Sequence, residues 1–132
     1  MGLGRKPDGI SEQVDEAILA STSNKVEKGI SIDVASAKHP TQGGNYLPAG
    51  TVMTKLDGTE EYKHYEDGAS DGSEDESTAV VLKHDVDLDE WTDEGAAPAT
   101  AYLEATVKAD KVVVDSNFDW SKQQNLTRFP QS

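Results

Sequence analysis

Thr51-Val52-Met53-Thr54-Lys55-Leu56-Asp57-Gly58 decides how this chain folds. A β-prone run meets Asp-Gly, a strong short-range hairpin signal, because the turns that suit a twisted hairpin need φ > 0 at their centre. Tyr62 and His64 then fall on the return strand. Thr78-Ala79-Val80-Val81-Leu82-Lys83-His84 is the most apolar run of the chain and reads as the central strand of the same sheet. Further on, Ala101, Leu103, Ala105 and Val107 alternate as one face of another strand, and Lys111 to Val114 make one more. Asp67 to Glu76 and Asp85 to Glu94 separate these runs as acidic loops. Short strands with turn signals between them predict a mainly β lobe over residues 46–114.

Outward from that lobe the signals thin. Residues 1–45 read as an extended N-terminal arm. Ile10, Val14, Ala17 and Ile18 fall on one helical face, with Asp8 or Ser11 able to cap its start. A helix of about ten residues is marginal without something to lie against. Ile30-Ser31-Ile32-Asp33-Val34 then alternates as a short strand, followed by the turn-rich His39-Pro40, Gly43-Gly44 and Pro48. A lone strand cannot stabilise itself. It either joins this chain's own sheet or adds to the sheet of a partner. Residues 115–132 form a polar tail with a short helix expected from Asp119 to Leu126, stopped by Pro130.

Composition bounds the function. The chain has 132 residues, 35% of them hydrophobic, and no cysteine. One domain with a small core fits that length; disulfides, thiolate zinc sites and thiol nucleophiles are excluded. No apolar run approaches the roughly 18 residues of a membrane helix. Met1 to Asp8 carries Arg5 and Lys6 with no apolar run after them, so no secretory leader is expected. The net charge of −13 is concentrated: residues 57–104 hold 16 acidic and 2 basic side chains, the flanks being near neutral. Such a segment does not bind nucleic acid directly, because phosphate contacts need Lys and Arg.

Catalytic patterns are missing. His39, His64 and His84 are scattered without HxH or HExxH spacing, and there is neither a phosphate-cradling GxxxxGK[ST] nor a GxSxG elbow. The expectation is a protein that is not an enzyme and carries no cofactor. Asp85, Asp87 and Asp89 are a weak candidate for a cation site. Alternate carboxylates open an EF-hand loop, but Glu90 stands where Gly is required and Ala96 where the closing Glu is required.

The order of features resembles a known family. Ala49-Gly50-Thr51-Val52-Met53 is followed by Tyr65-Glu66-Asp67-Gly68-Ala69-Ser70-Asp71-Gly72-Ser73, then Ala79-Val80-Val81-Leu82, Asp85-Val86-Asp87 and Ala101-Tyr102-Leu103-Glu104-Ala105-Thr106-Val107. This order is similar to that of the head decoration proteins of tailed bacteriophages, the lambda gpD type. The chain departs from their pattern at Val81, where the family has Gly, and in its polar tail.

The resemblance implies a β-clip or β-tulip lobe of short strands with an extended arm and one or two short helices. It implies a homotrimer on the outer capsid surface of the virion, made in the host cytoplasm, that cements the expanded shell by binding the major capsid protein. The arm would add as a strand to that protein, with Ile30, Ile32 and Val34 as the capsid-binding residues. Two other classes compete: an acidic inhibitor that mimics DNA, and a calcium-dependent structural module of a tail or fibre. If the first third of the chain lies in its own subunit's sheet with no neighbour alongside it, the virion reading loses its footing.

Overall fold

The computed structural model describes residues 18–129, apart from the side chains of 22–24. The helical pattern over Ile10 to Ile18 lies, but for Ile18, outside the described residues. Eight strands make the fold: β1 (Leu19–Asp33), β2 (Tyr46–Leu47), β3 (Val52–Lys55), β4 (Glu61–His64), β5 (Val80–Leu82), β6 (Val86–Asp87), β7 (Ala96–Lys108) and β8 (Leu126–Phe129). The main sheet runs β1-β4-β3-β5-β7-β8, and a further pairing of β1 with β7 closes the first five into a ring. The chain is mainly β, and among the described residues its helical pieces are single 3-10 turns.

The hairpin forms where Asp57-Gly58 places it. Met53 pairs with His64 and Lys55 with Tyr62; Leu56 N–H donates to Glu61 O at 2.9 Å across the turn, and Gly58 takes φ +73°. β5 lies between β3 and β7, and its three residues are fully buried. It earns a continuous apolar run because both its faces meet a core. Val80 and Leu82 enter one cluster with Ile30, Ile32, Met53, Tyr62 and Leu88. Val81 enters a second with Val52, Tyr65, Tyr102, Val107 and Phe118.

β7 serves both clusters, and a bulge lets it do so. Glu27 faces Tyr102 while Val26 faces Glu104, so Leu103 is an extra residue in the ladder. An added residue moves every later side chain to the opposite face. Ala97, Ala99 and Ala101, before it, point into the first cluster, with Tyr102 on the opposite face by ordinary alternation, whereas Ala105 and Val107, after it, point into the second. The expectation that Ala101, Leu103, Ala105 and Val107 share one face is corrected here: Leu103 packs with the first cluster and Ala105 with the second.

Two expectations about the ends are also overturned. The first described third of the chain is no separate arm: β1 runs along β7 from Leu19 to Asp33 and meets β4 in parallel at Ser31 and Ile32. The segment after residue 114 is no separate tail either. Phe118 packs edge-on against Tyr65, with ring centroids 4.9 Å apart, and β8 continues the sheet in parallel beyond Ala105. The helix expected from Asp119 to Leu126 is a single 3-10 turn at Trp120–Lys122. Buried Gln123 ends it: its Oε1 accepts from the N–H groups of Asn125 and Leu126, and its Nε2 donates to the carbonyls of Trp120 and Leu126. A side chain that satisfies the backbone locally competes with the helical ladder. Lys111 to Val114 makes only an isolated bridge, Thr51 with Val113.

Candidate functional site

Ile30, Ile32 and Val34 are the residues on which strand addition to a partner would rest. Ile32 has no exposed surface and Ile30 is 7% exposed. They pair with Ala97 and Ala99 on β7, and Val34, partly buried, packs against the same cluster. These three side chains are core, so they are not a capsid-binding arm. The physical reason lies in β7. Its small Ala97 and Ala99 stand opposite Ile32 and Ile30 and leave room inside the ring for their larger side chains.

The aspartates of the 85–89 run are spent separately. Asp85 Oδ1 accepts from Ala49 N–H at 2.7 Å, Asp87 Oδ1 from Asp89 N–H at 3.1 Å, and Asp89 Oδ1 from Asn45 Nδ2 at 3.3 Å. They are not brought together as a cation site, and among the described residues no group of three His, Asp or Glu side chains converges to hold a metal. The same use recurs along the chain. Asp33, Asp71, Asp75, Asp87, Asp115 and Asp119 each accept from the backbone N–H two residues on. This is the Asx turn, in which a short carboxylate imitates a backbone turn. Part of the acidity is therefore turn chemistry.

The acidic loop of residues 67–76 is better built than its composition suggests. Lys63, largely buried, pairs with Glu66 and with Asp71. Hydrogen bonds from Ser73, chiefly its hydroxyl, hold the Asp71 carboxyl down at about 2, against the opposing effect of desolvation. Glu76 is buried and accepts from Tyr65 Oη at 3.1 Å and from Asp119 N–H at 3.4 Å. Burial, and then this bond, raises the Tyr65 hydroxyl well above its ordinary value. The loop is thereby fastened to the second core cluster and to the segment that covers it.

Two glycines carry the closest approaches. Gly50, at φ +95°, lies so near the 111–113 segment that a Cβ would sit 2.1 Å from Lys111 O. Gly72, at φ +103°, brings the acidic loop onto the β3–β4 turn, where a Cβ would sit 2.5 Å from Asp57 N. Both belong to the motifs quoted above, Ala49-Gly50-Thr51-Val52 and Asp71-Gly72-Ser73.

Each histidine is held through a ring nitrogen. His64 Nδ1 accepts from Lys38 N–H at 3.0 Å, His39 Nδ1 from Thr41 and Gln42 N–H at 3.2 and 3.1 Å, and His84 Nε2 from Thr100 N–H at 3.1 Å. The large hydrophobics that remain exposed among the described residues are Val26 on β1, Tyr46 on β2 and Phe129 on β8. Near Phe129 the Arg128 guanidinium lies over the Trp120 ring, 5.2 Å from its centroid. Aromatic and Arg side chains are enriched at protein interfaces, and the end of the sheet at β8 carries both kinds. The sequence held a signal for it in Leu126-Thr127-Arg128-Phe129, a short apolar-ended run before a strand-stopping proline. Among the described residues no helix is long and apolar enough to cross a membrane. No protein-family model matches the chain, and no curated protein matches it.

Proposed function

We propose that the chain is a capsid decoration protein of a tailed phage, binding the outer shell as a homotrimer and cementing it after expansion. One observation carries the reading. The turn residues that the sequence shares with such proteins, Gly50 and Gly72, are the positions where this lobe tolerates no Cβ. A resemblance in surface turns alone would be cheap, because Gly and Asp are common in every loop. Here the shared residues sit at the junctions that join the 111–113 segment to β3 and the acidic loop to the hairpin.

Strand addition through Ile30, Ile32 and Val34 is no part of the proposal, since those side chains fill the chain's own core. Attachment falls to surfaces outside them. Three copies binding at once need only a weak contact each, because linkage raises overall affinity by a factor of about 10² to 10⁴. A net charge of −13 keeps free copies apart until a shell gathers them. The DNA-mimic reading fits less well, because many aspartates each commit an oxygen to a backbone amide of their own loop turn.

The test mixes the full chain with undecorated expanded heads and images them by cryo-electron microscopy. Saturable density at three-fold positions, together with a trimer by sedimentation at high concentration or on the shell, is expected. Bare heads at saturating protein would overturn the proposal.

A further inference from the structure

Residues 35–44 connect β1 to β2 and stand on a single clasp. The segment is bounded by two backbone bonds, Val34 N–H to Gly95 O and Leu88 N–H to Asn45 O. Between them its hydrogen bonds are local. Ser36 and Ala37 return to Asp33. Thr41, Gln42, Gly43 and Gly44 close a turn around His39, and Gln42 takes a bond from Tyr46 Oη on β2. Among the described residues, Lys38 N–H to His64 Nδ1 is the one hydrogen bond from this segment to a strand of the closed ring. Its apolar anchorage is slight, since Ala37 is its side chain in the first core cluster.

We propose that residues 35–44 are a proton-released clip, held shut by the unprotonated His64 ring and freed when that ring gains a proton while the strand ring stays closed. A nitrogen that accepts a hydrogen bond has no lone pair left for a proton, so charging Nδ1 removes the acceptor and sets two donors face to face. The groups around His64 are Lys63 and Glu66 on its own strand and the residues after it, Asp71 from the acidic loop, His39 from the clip, and Met53 opposite it on β3. Burial dominates them and, with Lys63, holds the ring down at about 4. His39 lines the same hollow together with Lys38 and Glu66. Its Nδ1 is likewise committed to the amides of Thr41 and Gln42. The inference does not depend on the capsid reading.

The experiment is an amide and imidazole NMR titration of the full chain from pH 8 to below the His64 midpoint. Expected are a His64 midpoint far below 6.5, amide shifts at Lys38 and across 36–44 with that same midpoint, and a drop of about tenfold or more in the exchange protection of Lys38. Val80 to Leu82 should keep their protection. In His64→Gln a side-chain carbonyl still accepts but does not titrate, so the clip should stay closed and its response to pH vanish. Three results overturn the proposal: a Lys38 amide indifferent to the His64 titration, the same response in His64→Gln, or loss of protection in β5 at the same midpoint as the clip. Should the variant fail to fold, the titration of the natural chain decides alone.

Discussion

Replacing Gly50 by alanine tests the close approach that organises the lobe. At φ +95° an L side chain is strained, which costs about 1–2 kcal/mol. The new Cβ would lie 2.1 Å from Lys111 O, a backbone atom that cannot swing away as a side-chain tip can. Relief requires the 111–113 segment to withdraw, breaking Val113 N–H to Gly50 O at 2.9 Å and Val52 N–H to Val113 O at 3.1 Å. Each such bond contributes about 0.5–1.5 kcal/mol net. The sum is a loss of about 2–5 kcal/mol, a large share of the stability of an ordinary domain. Gly58→Ala is the control, because Gly58 has a similar φ of +73° and nothing within 4 Å of its Cβ position. It should lose only the strain, about 1–2 kcal/mol. Urea unfolding followed by circular dichroism measures both, and the slope should stay unchanged if each variant remains two-state. Equal losses in the two variants, to within about 0.5 kcal/mol, would refute the claim that the 111–113 segment is packed on Gly50.

Three further outcomes follow from the same structure. Ile32→Ala should destabilise the lobe by about 2–5 kcal/mol, because Ile32 is fully buried; unchanged unfolding would restore it to a detachable arm. Deleting residues 1–45 removes β1, which lines both β7 and β4, so the remainder should show no cooperative thermal transition, and a sharp one would contradict the closed ring. Acid should weaken the fold in two stages. His64 and Asp71 are both depressed in the native state, to about 4 and about 2; the unfolded chain therefore binds more protons, and stability falls as pH drops, first below about 6.5 and then below about 3.8. Part of the His64 ring reaches solvent, which reduces its share to about 1–2 kcal/mol. A chain as stable at pH 4.5 as at pH 7.5 would refute this assignment.

Much of the lobe could be read in advance because its signals are local. Asp57-Gly58 dictates a turn through its own backbone preferences, and Val80 to Leu82 announces a strand buried on both faces through its composition alone. The bulge at Leu103 left no such mark. Ala101, Leu103, Ala105 and Val107 alternate perfectly, and the phase changes only because β1 pairs with two registers on either side of it. The candidate site fared likewise. Asp85, Asp87 and Asp89 look like a ligand set in sequence, yet two of their three partners, Ala49 and Asn45, stand 36 and 44 residues away. Trp120 and Phe129 lie in a polar tail, and nothing around them in sequence says that Phe118 packs on Tyr65.

The amino-acid sequence by itself determined the class of fold, the turns and the central strand, because propensity, glycine and aspartate act over a few residues. It also determined that Ile30 and Ile32 lie on a strand needing a partner, although Val34 falls just past its end. Which partner was decided only by the tertiary structure. Pairing in a sheet joins residues far apart in the chain, here Ile32 with Tyr62 on one side and Ala97 on the other. A strand's own residues state that one face is apolar; the room left opposite by Ala97 and Ala99 of β7 states where that face goes.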